Sequence, residues 1–238
     1  IARYAIESHL IEVSVDTRTT INIIDRDHGR ETEIIEAGKA IGPNAEERVF
    51  AQCARDISAG DIVICSGILM PGMGADTYKR VSQLCGERGA KCFLDTNSSD
   101  LRNALPASYQ LCKPNERELR ELFPQIGPDD TAVDLAQRLM VLGVERVLLS
   151  RGEAGGMLLS ENRVLKAGIP GIEVCSTIGS GDASIAGFAV GESRGLNPAE
   201  CLKLAMACGM SNAASPDIGV VDRRMVAQYM EAISVAEQ

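Results

Sequence analysis

Thr177-Ile-Gly-Ser-Gly-Asp182-Ala-Ser-Ile-Ala-Gly-Phe188 is a glycine-rich turn entering a helix whose pattern continues to about Gly195. Gly179 and Gly181 let the backbone approach a ligand closely. The free N–H groups of a first helical turn converge on one point, where negative charge is stabilised. Asp182 at that point could take a proton from a hydroxyl while the amides hold charge developing on a transferred phosphoryl group. The same residues also read as an ordinary helix start, because Ser or Asp after Gly is a common cap. A dinucleotide fingerprint fails on context. Ser184 stands where the third glycine belongs, and the helix leads to Asn197-Pro198 and another helix where a parallel strand is required. A Walker A motif and the protein-kinase signatures are absent from the sequence.

Upstream of this turn, short apolar runs alternate with helical patterns. Ile62 to Ser66, Lys91 to Asp95, a short run before Lys113 and Val147 to Ser150 read as buried strands. Helices start at Asn44-Ala-Glu-Glu47, pass through Tyr78 and Leu84, and run from an Asp129-Asp130 cap to Gly143. Met157 to Leu159 and Val164-Leu165 flank Glu161-Asn162-Arg163 as a hairpin, and further helices start at Asn197-Pro198 and Asp222. Alternation at this spacing predicts an α/β fold, a mostly parallel sheet with helices on both faces and its site at the carboxyl ends of the strands. The first residues differ. Ile11, Val13 and Val15, then Ile21 and Ile23 against Thr20 and Asn22, then Ile34, repeat with a period of two. With Asp27-His28-Gly29-Arg30 as the turn, they predict a small antiparallel sheet. The division expected is residues 1–40 for the small sheet and 41–238 for the core.

A chain of 238 residues is long enough for one large domain with a real core. The 24 Lys+Arg against 33 Asp+Glu leave a net charge of −9, and 3% aromatics with no Trp offer neither a phosphate-neutralising surface nor a stacking platform, so nucleic acid is not an expected partner. The apolar runs are too short for a membrane span. An anionic small molecule must therefore be held by local cations and backbone amides against an unfavourable global field. The eight cysteines are spread from Cys53 to Cys208 without CxxC pairs and read as buried, reduced thiols of a cytoplasmic protein. Cys201 and Cys208, seven apart, suit small core packing.

Several other segments could carry chemistry. In Lys113-Pro-Asn115-Glu-Arg-Glu118, Asn115 and Glu118 share a helix face and could organise a hydrated Mg²⁺ and phosphates, or be a capping pair. Arg18 beside Thr20 and Asn22 could seat a phosphate, or be a surface arginine. Ser66-Gly-Ile-Leu-Met-Pro-Gly72 and Leu149-Ser150-Arg-Gly152-Glu-Ala-Gly155 are strands ending in glycine turns, which line a crevice or simply turn the chain.

Taken in order, Thr17-Arg18 with Thr32-Glu33-Ile34 and Gly38, Ser66-Gly67 with Pro71-Gly72, Lys113-Pro114-Asn115 with Glu118, Ser150 to Gly155 and Thr177 to Gly187 resemble the PfkB (ribokinase-like) family of carbohydrate kinases. The likeness is greatest to its phosphosugar branch of 1-phosphofructokinases and tagatose-6-phosphate kinases. The resemblance implies a ribokinase-like α/β core with a β-sheet lid, transferring the γ-phosphoryl of MgATP to a phosphosugar, with fructose 1-phosphate as the expected acceptor and tagatose 6-phosphate, fructose 6-phosphate or an unphosphorylated sugar or nucleoside as the alternatives. It implies Asp182 as the base and Gly179, Ser180 and Gly181 as the anion hole. It places Ser150, Arg151, Gly152, Glu153, Ala154, Gly155 and Thr177 at ATP. Lys113, Asn115 and Glu118 fall around Mg²⁺ and phosphates without a direct protein–metal bond, and Arg18, Ser66 and Gly67 at the acceptor. A homodimer through the lid is expected. Thr20, Met70 and Ser180 depart from the branch's usual Asn, Pro and Ala. The resemblance also implies a strand and a Gly-Gly segment ahead of the lid that this chain does not include. A non-catalytic nucleotide-binding protein on the same fold is the rival reading, against which stands the joint presence of Asp182, Asn115 and Glu118.

Overall fold

The computed structural model describes residues 6–25, 28, 30–125, 127 and 129–238. A seven-stranded sheet forms the body, in spatial order β3 (Ile62–Ser66), β4 (Lys91–Asp95), β5 (Leu111–Cys112), β6 (Val147–Ser150), β7 (Gly156–Ser160), β8 (Arg163–Gly168) and β9 (Ser234–Glu237). The strands from β3 to β6 pair in parallel, and those from β6 to β9 pair antiparallel. The sheet is therefore mixed, with the predicted parallel character in the half that carries the glycine turns.

Period-two alternation in the strands assigns each residue to one of two cores. Cys92 and Leu94 of β4 and Val147 and Leu149 of β6 join one, under helices α2 (Thr77–Arg88), α3 (Ser98–Ala104), α4 (Glu116–Leu122) and α5 (Ala132–Val141). Phe93 and Leu148 point the other way, under α6 (Ser180–Ser193), α7 (Pro198–Ala213) and α8 (Arg223–Ala232). The rings of Phe93 and Phe188 meet edge-on at 6.1 Å, which fixes α6 against β4. The two helices α6 and α7 lie close because glycine leaves room: a Cβ at Gly187 or Gly191 would sit 2.9 Å from the sulfur of Cys208 or Cys201. That is the small-residue packing expected of the two cysteines. All eight cysteines are free thiols; five are buried and Cys53 and Cys208 half-buried, but Cys175, on the irregular segment ahead of the α6 turn, is exposed against the expectation.

Local signals set most boundaries. Asn197 caps α7 in a reciprocal box with Glu200, and Asp222 caps α8. Gly89, at φ +71°, ends α2, with the Ala90 N–H reaching back to the Cys85 carbonyl. Two expected caps differ. Thr131, boxed with Asp134, starts α5, while Asp130 instead accepts from Arg138 and the Gly127 N–H. Asn44 stands ahead of α1 (Ala45–Asp56) without a side-chain cap, its backbone already helical.

The small sheet is β1 (Thr20–Asp25) paired antiparallel with β2 (Arg30–Ile35). Of the predicted turn, Asp27 and Gly29 lie outside the described residues. Ile11, Val13 and Val15 are half-buried in alternation with exposed neighbours, yet no strand forms there among the described residues. The segment lies along α1, where Arg48 donates to the Glu12 carbonyl. Its period of two reflects an extended chain on a surface rather than a ladder. The alternation in β1 is also turned outward: Ile21 and Ile23 are exposed and Asn22 is half-buried.

Candidate active site

Gly179 adopts φ +77° and hands the chain into α6, so Ser180, Gly181 and Asp182 form its first turn. The Ala183 N–H already closes the helix on the Gly179 carbonyl. The N–H groups of Gly181 and Asp182 have no carbonyl one turn earlier to bond, leaving an electropositive end. The exposed Asp182 carboxylate accepts a hydrogen bond from the Ser66 hydroxyl, Oγ to Oδ1 2.9 Å. Ser66, 116 residues away in the chain, is the last residue of β3.

The turn after β3 is held from behind. The Gly67 carbonyl accepts from the Thr96 hydroxyl at 2.6 Å and the Tyr78 hydroxyl at 2.9 Å, and the Gly67 N–H donates to the Asp95 carbonyl. Burial pushes the Tyr78 phenol up to about 12, so it stays a donor across the physiological range. The Leu69 N–H donates to Asp100.

Lys113 is 6% exposed, and its ammonium lies 3.1 Å from Asp95 Oδ2. A Cβ at Gly181 would meet that ammonium at 3.0 Å, so the glycine lets Lys113 close up against the helix start without shifting. Lys113, expected with Asn115 and Glu118 around Mg²⁺ and phosphates, sets its ammonium against Asp95 and the Gly179–Asp182 turn. Asp95 was read only as the end of a strand. Burial pushes its carboxyl above the ordinary value, Lys113 pulls it back down, and the nearby charges of Asp182 and Glu118 raise it again. An acid closing a buried strand at the carboxyl edge of the sheet is the signal that could have found it.

Asn115 and Glu118 make a complete capping box. Glu118 N–H donates to Asn115 Oδ1 and Asn115 N–H to Glu118 Oε2, each at 2.9 Å. This is the capping alternative in full, and it leaves Glu118 Oε1 free of the box. Asn115 also bridges to Ser150. Together with Glu116, Arg117, Arg151, Gly152 and Ala154 they line an open cleft of about 450 Å³. Arg151 is held there by Glu116 at 2.6 Å, and Glu153 is exposed. Gly155 has a packing reason as well, since a Cβ would fall 2.1 Å from the Ala167 carbonyl oxygen. The Thr177 carbonyl accepts from the Ser180 N–H at the other edge of the α6 turn.

Arg18 is exposed just ahead of β1, and Gly38 packs between its Cβ and Pro71 Cδ, which brings it to the turn that follows Ser66. Arg18 makes no ion pair among the described residues. Asn22 Oδ1 in β1 is buried without a hydrogen-bond partner among them. A second residue that reading from sequence missed is Asn212, which packs under the α6 turn from the end of α7. It lies in an Ala-rich helical run and carries no local signal.

Ser66, Asp182, Gly181, Lys113, Asp95, Glu118, Asn115 and Ser150 therefore form a continuous series along the carboxyl edge of the parallel strands. A base, an electropositive helix end and a buried cation side by side can activate a hydroxyl and stabilise phosphoryl charge.

The chain is similar to known kinases. A 1-phosphofructokinase of Bacillus subtilis is 29% identical over 231 residues, covering 97% of this chain and 74% of its own. A tagatose-6-phosphate kinase of Staphylococcus epidermidis is 28% identical over 236 residues, covering 98% and 76%. The structure of phosphofructokinase-2 from Escherichia coli in complex with substrates and products superimposes with a TM-score of 0.83 at 21% identity, over 93% of this chain and 72% of that one, and so shares the fold. Residues 1–219 match the family described as pfkB family carbohydrate kinase. The series of residues at the strand ends thus sits in a phosphotransferase that acts on a sugar hydroxyl, and the chain belongs to the pfkB family of carbohydrate kinases.

Proposed function

We propose that this kinase transfers the γ-phosphoryl group of ATP to a hydroxyl of a sugar phosphate, with fructose 1-phosphate giving fructose 1,6-bisphosphate as the first choice of reaction. The observation that carries the reading is Asp182 in the first turn of α6, hydrogen-bonded to Ser66 and next to the buried Lys113. Asp182 accepts the proton of the attacking hydroxyl. Gly179 and Gly181 present amides to the transferred group beside Ser180, whose own N–H is taken by the Thr177 carbonyl, and Lys113 adds a fixed charge where water is scarce. ATP lies between this turn and the cleft of Asn115, Ser150, Arg151, Gly152 and Ala154, near Glu153, Gly155 and Thr177. Ser66, Gly67 and Arg18 receive the acceptor, the guanidinium as the seat of its phosphate. Residues 1–40 act as the lid over a core of 41–238.

Magnesium fits as an ion carried in by the nucleotide. Among the described residues no group of three acidic, His or Cys side chains could hold a metal on its own. The facing carboxylates of Asp95, Glu118 and Asp182 nevertheless supply acceptors for its water shell. When bound with ATP it neutralises phosphate charge.

The partner most compatible with the lid is a second copy of the chain. Ile21, Ile23 and Ile34 share one face of the small sheet and are each more than 50% exposed. No helix among the described residues is long and apolar enough to cross a membrane. Eight unpaired thiols fit a reducing cytoplasm.

Two neighbours of different specificity, one named for 1-phosphofructokinase activity and one for tagatose-6-phosphate, make the acceptor the point to test. ADP formation is measured with ATP, Mg²⁺ and fructose 1-phosphate, tagatose 6-phosphate, fructose 6-phosphate or unphosphorylated sugars, on the wild type and Arg18→Ala. Fructose 1-phosphate should give the highest kcat/KM, and Arg18→Ala should raise the KM for the phosphosugar at least about tenfold, since charge-assisted bonds to phosphate are the strong ones. Preference for an unphosphorylated sugar, with Arg18→Ala silent, would overturn the phosphosugar assignment.

A further inference from the structure

We propose that Asn212 is a positioning residue for phosphoryl transfer: its buried amide aims the Gly179 N–H and locks the base-bearing turn to the loop at Gly219. The proposal rests on the reading of Asp182 and its turn given above.

Asn212 occupies the last turn of α7 and is 1% exposed. A buried primary amide is costly unless its donors and acceptor are used. Here they are: Nδ2 donates to the Ile178 carbonyl at 2.7 Å and to Ser180 Oγ at 3.1 Å, and Oδ1 accepts from the Gly219 N–H at 2.8 Å. None of these bonds serves α7 itself. All are directed at two places, the entry into α6 and the loop ahead of α8, each with a positive-φ glycine at the contact, Gly179 at +77° and Gly219 at +73°. Such turns have no ladder to hold them, so a fixed amide between them decides their geometry.

The consequence for chemistry follows from peptide planarity. In a trans peptide the carbonyl and the N–H of the next residue point in opposite directions. Asn212 draws the Ile178 carbonyl toward α7, so the Gly179 N–H is turned away from α7. Ser180 Oγ, held by the same Nδ2, fixes the following residue. Asn212 therefore acts on the donors of the anion hole while touching no substrate itself.

A purely structural role is the competing explanation, and it has a different signature. The end of α7 is already tied to the neighbouring segment by backbone, with the Cys175 and Ser176 N–H groups both donating to the Ala213 carbonyl. A residue that only anchored the helix would change melting temperature and leave the chemical step alone. Donors aimed at developing charge act on kcat more than on substrate binding.

The test compares Asn212→Leu, which keeps the branching of the side chain without its hydrogen bonds, with Met210→Ala, a core truncation on the same helix, and with Asp182→Asn. Steady-state kinetics and thermal unfolding are measured on each full chain, below every melting temperature. Expected is a fall in kcat of at least about tenfold for Asn212→Leu, with KM for ATP and acceptor changed less than about threefold. Met210→Ala should match its loss of melting temperature and keep kcat within about twofold, as cavity creation predicts for a site left intact. Equal kcat in Asn212→Leu and wild type, or equal kcat losses in Asn212→Leu and Met210→Ala, overturns the proposal. If Asn212→Leu does not fold, Asn212→Ala is measured the same way. If neither folds, the amide is a determinant of stability and the proposal falls. Wild-type turnover in Asp182→Asn would instead refute the underlying reading of the base, whatever Asn212 does.

Discussion

Replacing Lys113 by Met removes the cation that faces Asp95 while keeping most of the aliphatic stem. The side chains are 7% and 15% exposed and the charges 3.1 Å apart, so solvent screens the pair weakly. Breaking a buried pair from one side costs about 3–5 kcal/mol because the remaining charge is uncompensated. Proton uptake sets a ceiling. Neutralising a carboxyl of ordinary value 3.8 at pH 7 costs about 4 kcal/mol at 1.36 per unit. The expected loss is therefore about 3–4 kcal/mol, or roughly 10 °C in Tm for a protein of this size. The Asp95→Asn/Lys113→Met double variant leaves no stranded charge and should recover more than half of it. The sign with pH follows from Asp95, whose native value lies above its unfolded one. The native state then holds the extra proton between those values, and stability falls as pH rises through that window. Without Lys113 the window extends upward, so the Lys113→Met deficit should be small in acid and full at neutral pH. Thermal unfolding followed by circular dichroism between pH 4 and 8 reads the wild type and both variants. A Lys113→Met Tm within about 2 °C of wild type at pH 7, or a deficit unchanged by Asp95→Asn, would refute the reasoning.

Three further outcomes are expected. Glu192 is desolvated, but hydrogen bonds from Arg146 and from Lys91, the latter at 2.8 Å, hold its carboxyl below the usual range. Its contribution is present above the ordinary carboxylate value and is lost as pH falls through the lower native one, so the Tm difference between wild type and Glu192→Gln should shrink in acid. Gly179→Ala forces a left-handed alanine whose Cβ lies 3.3 Å from Asn212 Oδ1, the Gly219 nitrogen and Ile218 Cγ2. It should cost about 1–2 kcal/mol in denaturant unfolding and lower kcat. Ile21→Lys with Ile34→Lys, a cross-strand pair on the exposed lid face, should shift the mass found by light scattering from dimer to monomer. A dimer that survives both lysines places the interface elsewhere.

The parallel half of the sheet was legible because its strands are short apolar runs between segments of helical periodicity. The Asn115–Glu118 and Asn197–Glu200 boxes carry their own geometry in four residues. Asp182 was legible for the same reason, since a glycine turn entering a helix creates its electrostatics locally. What escaped detection depends on residues far apart in the chain. Asp95 becomes a site residue only through Lys113, and Asn212 only through a turn more than thirty residues earlier. Lys113 lies two residues from Asn115 in sequence, and its long stem also carries the charge across to Gly181. The last strand, Ser234–Glu237, is four residues of mixed polarity that acquire strand geometry by pairing with β8. Ile11 to Val15 show the converse, where a correct alternation of burial has no partner strand to make a ladder.

The central claim is that Asp182 removes the proton from the acceptor hydroxyl. Its direct measurement is the turnover of Asp182→Asn with saturating ATP and the preferred phosphosugar, alongside ATP affinity by calorimetry. The account predicts a kcat lower by about 10²–10⁴, the range for a positioned base, with ATP affinity within a few-fold of wild type. Turnover kept at the wild-type level while ATP binds normally would contradict it.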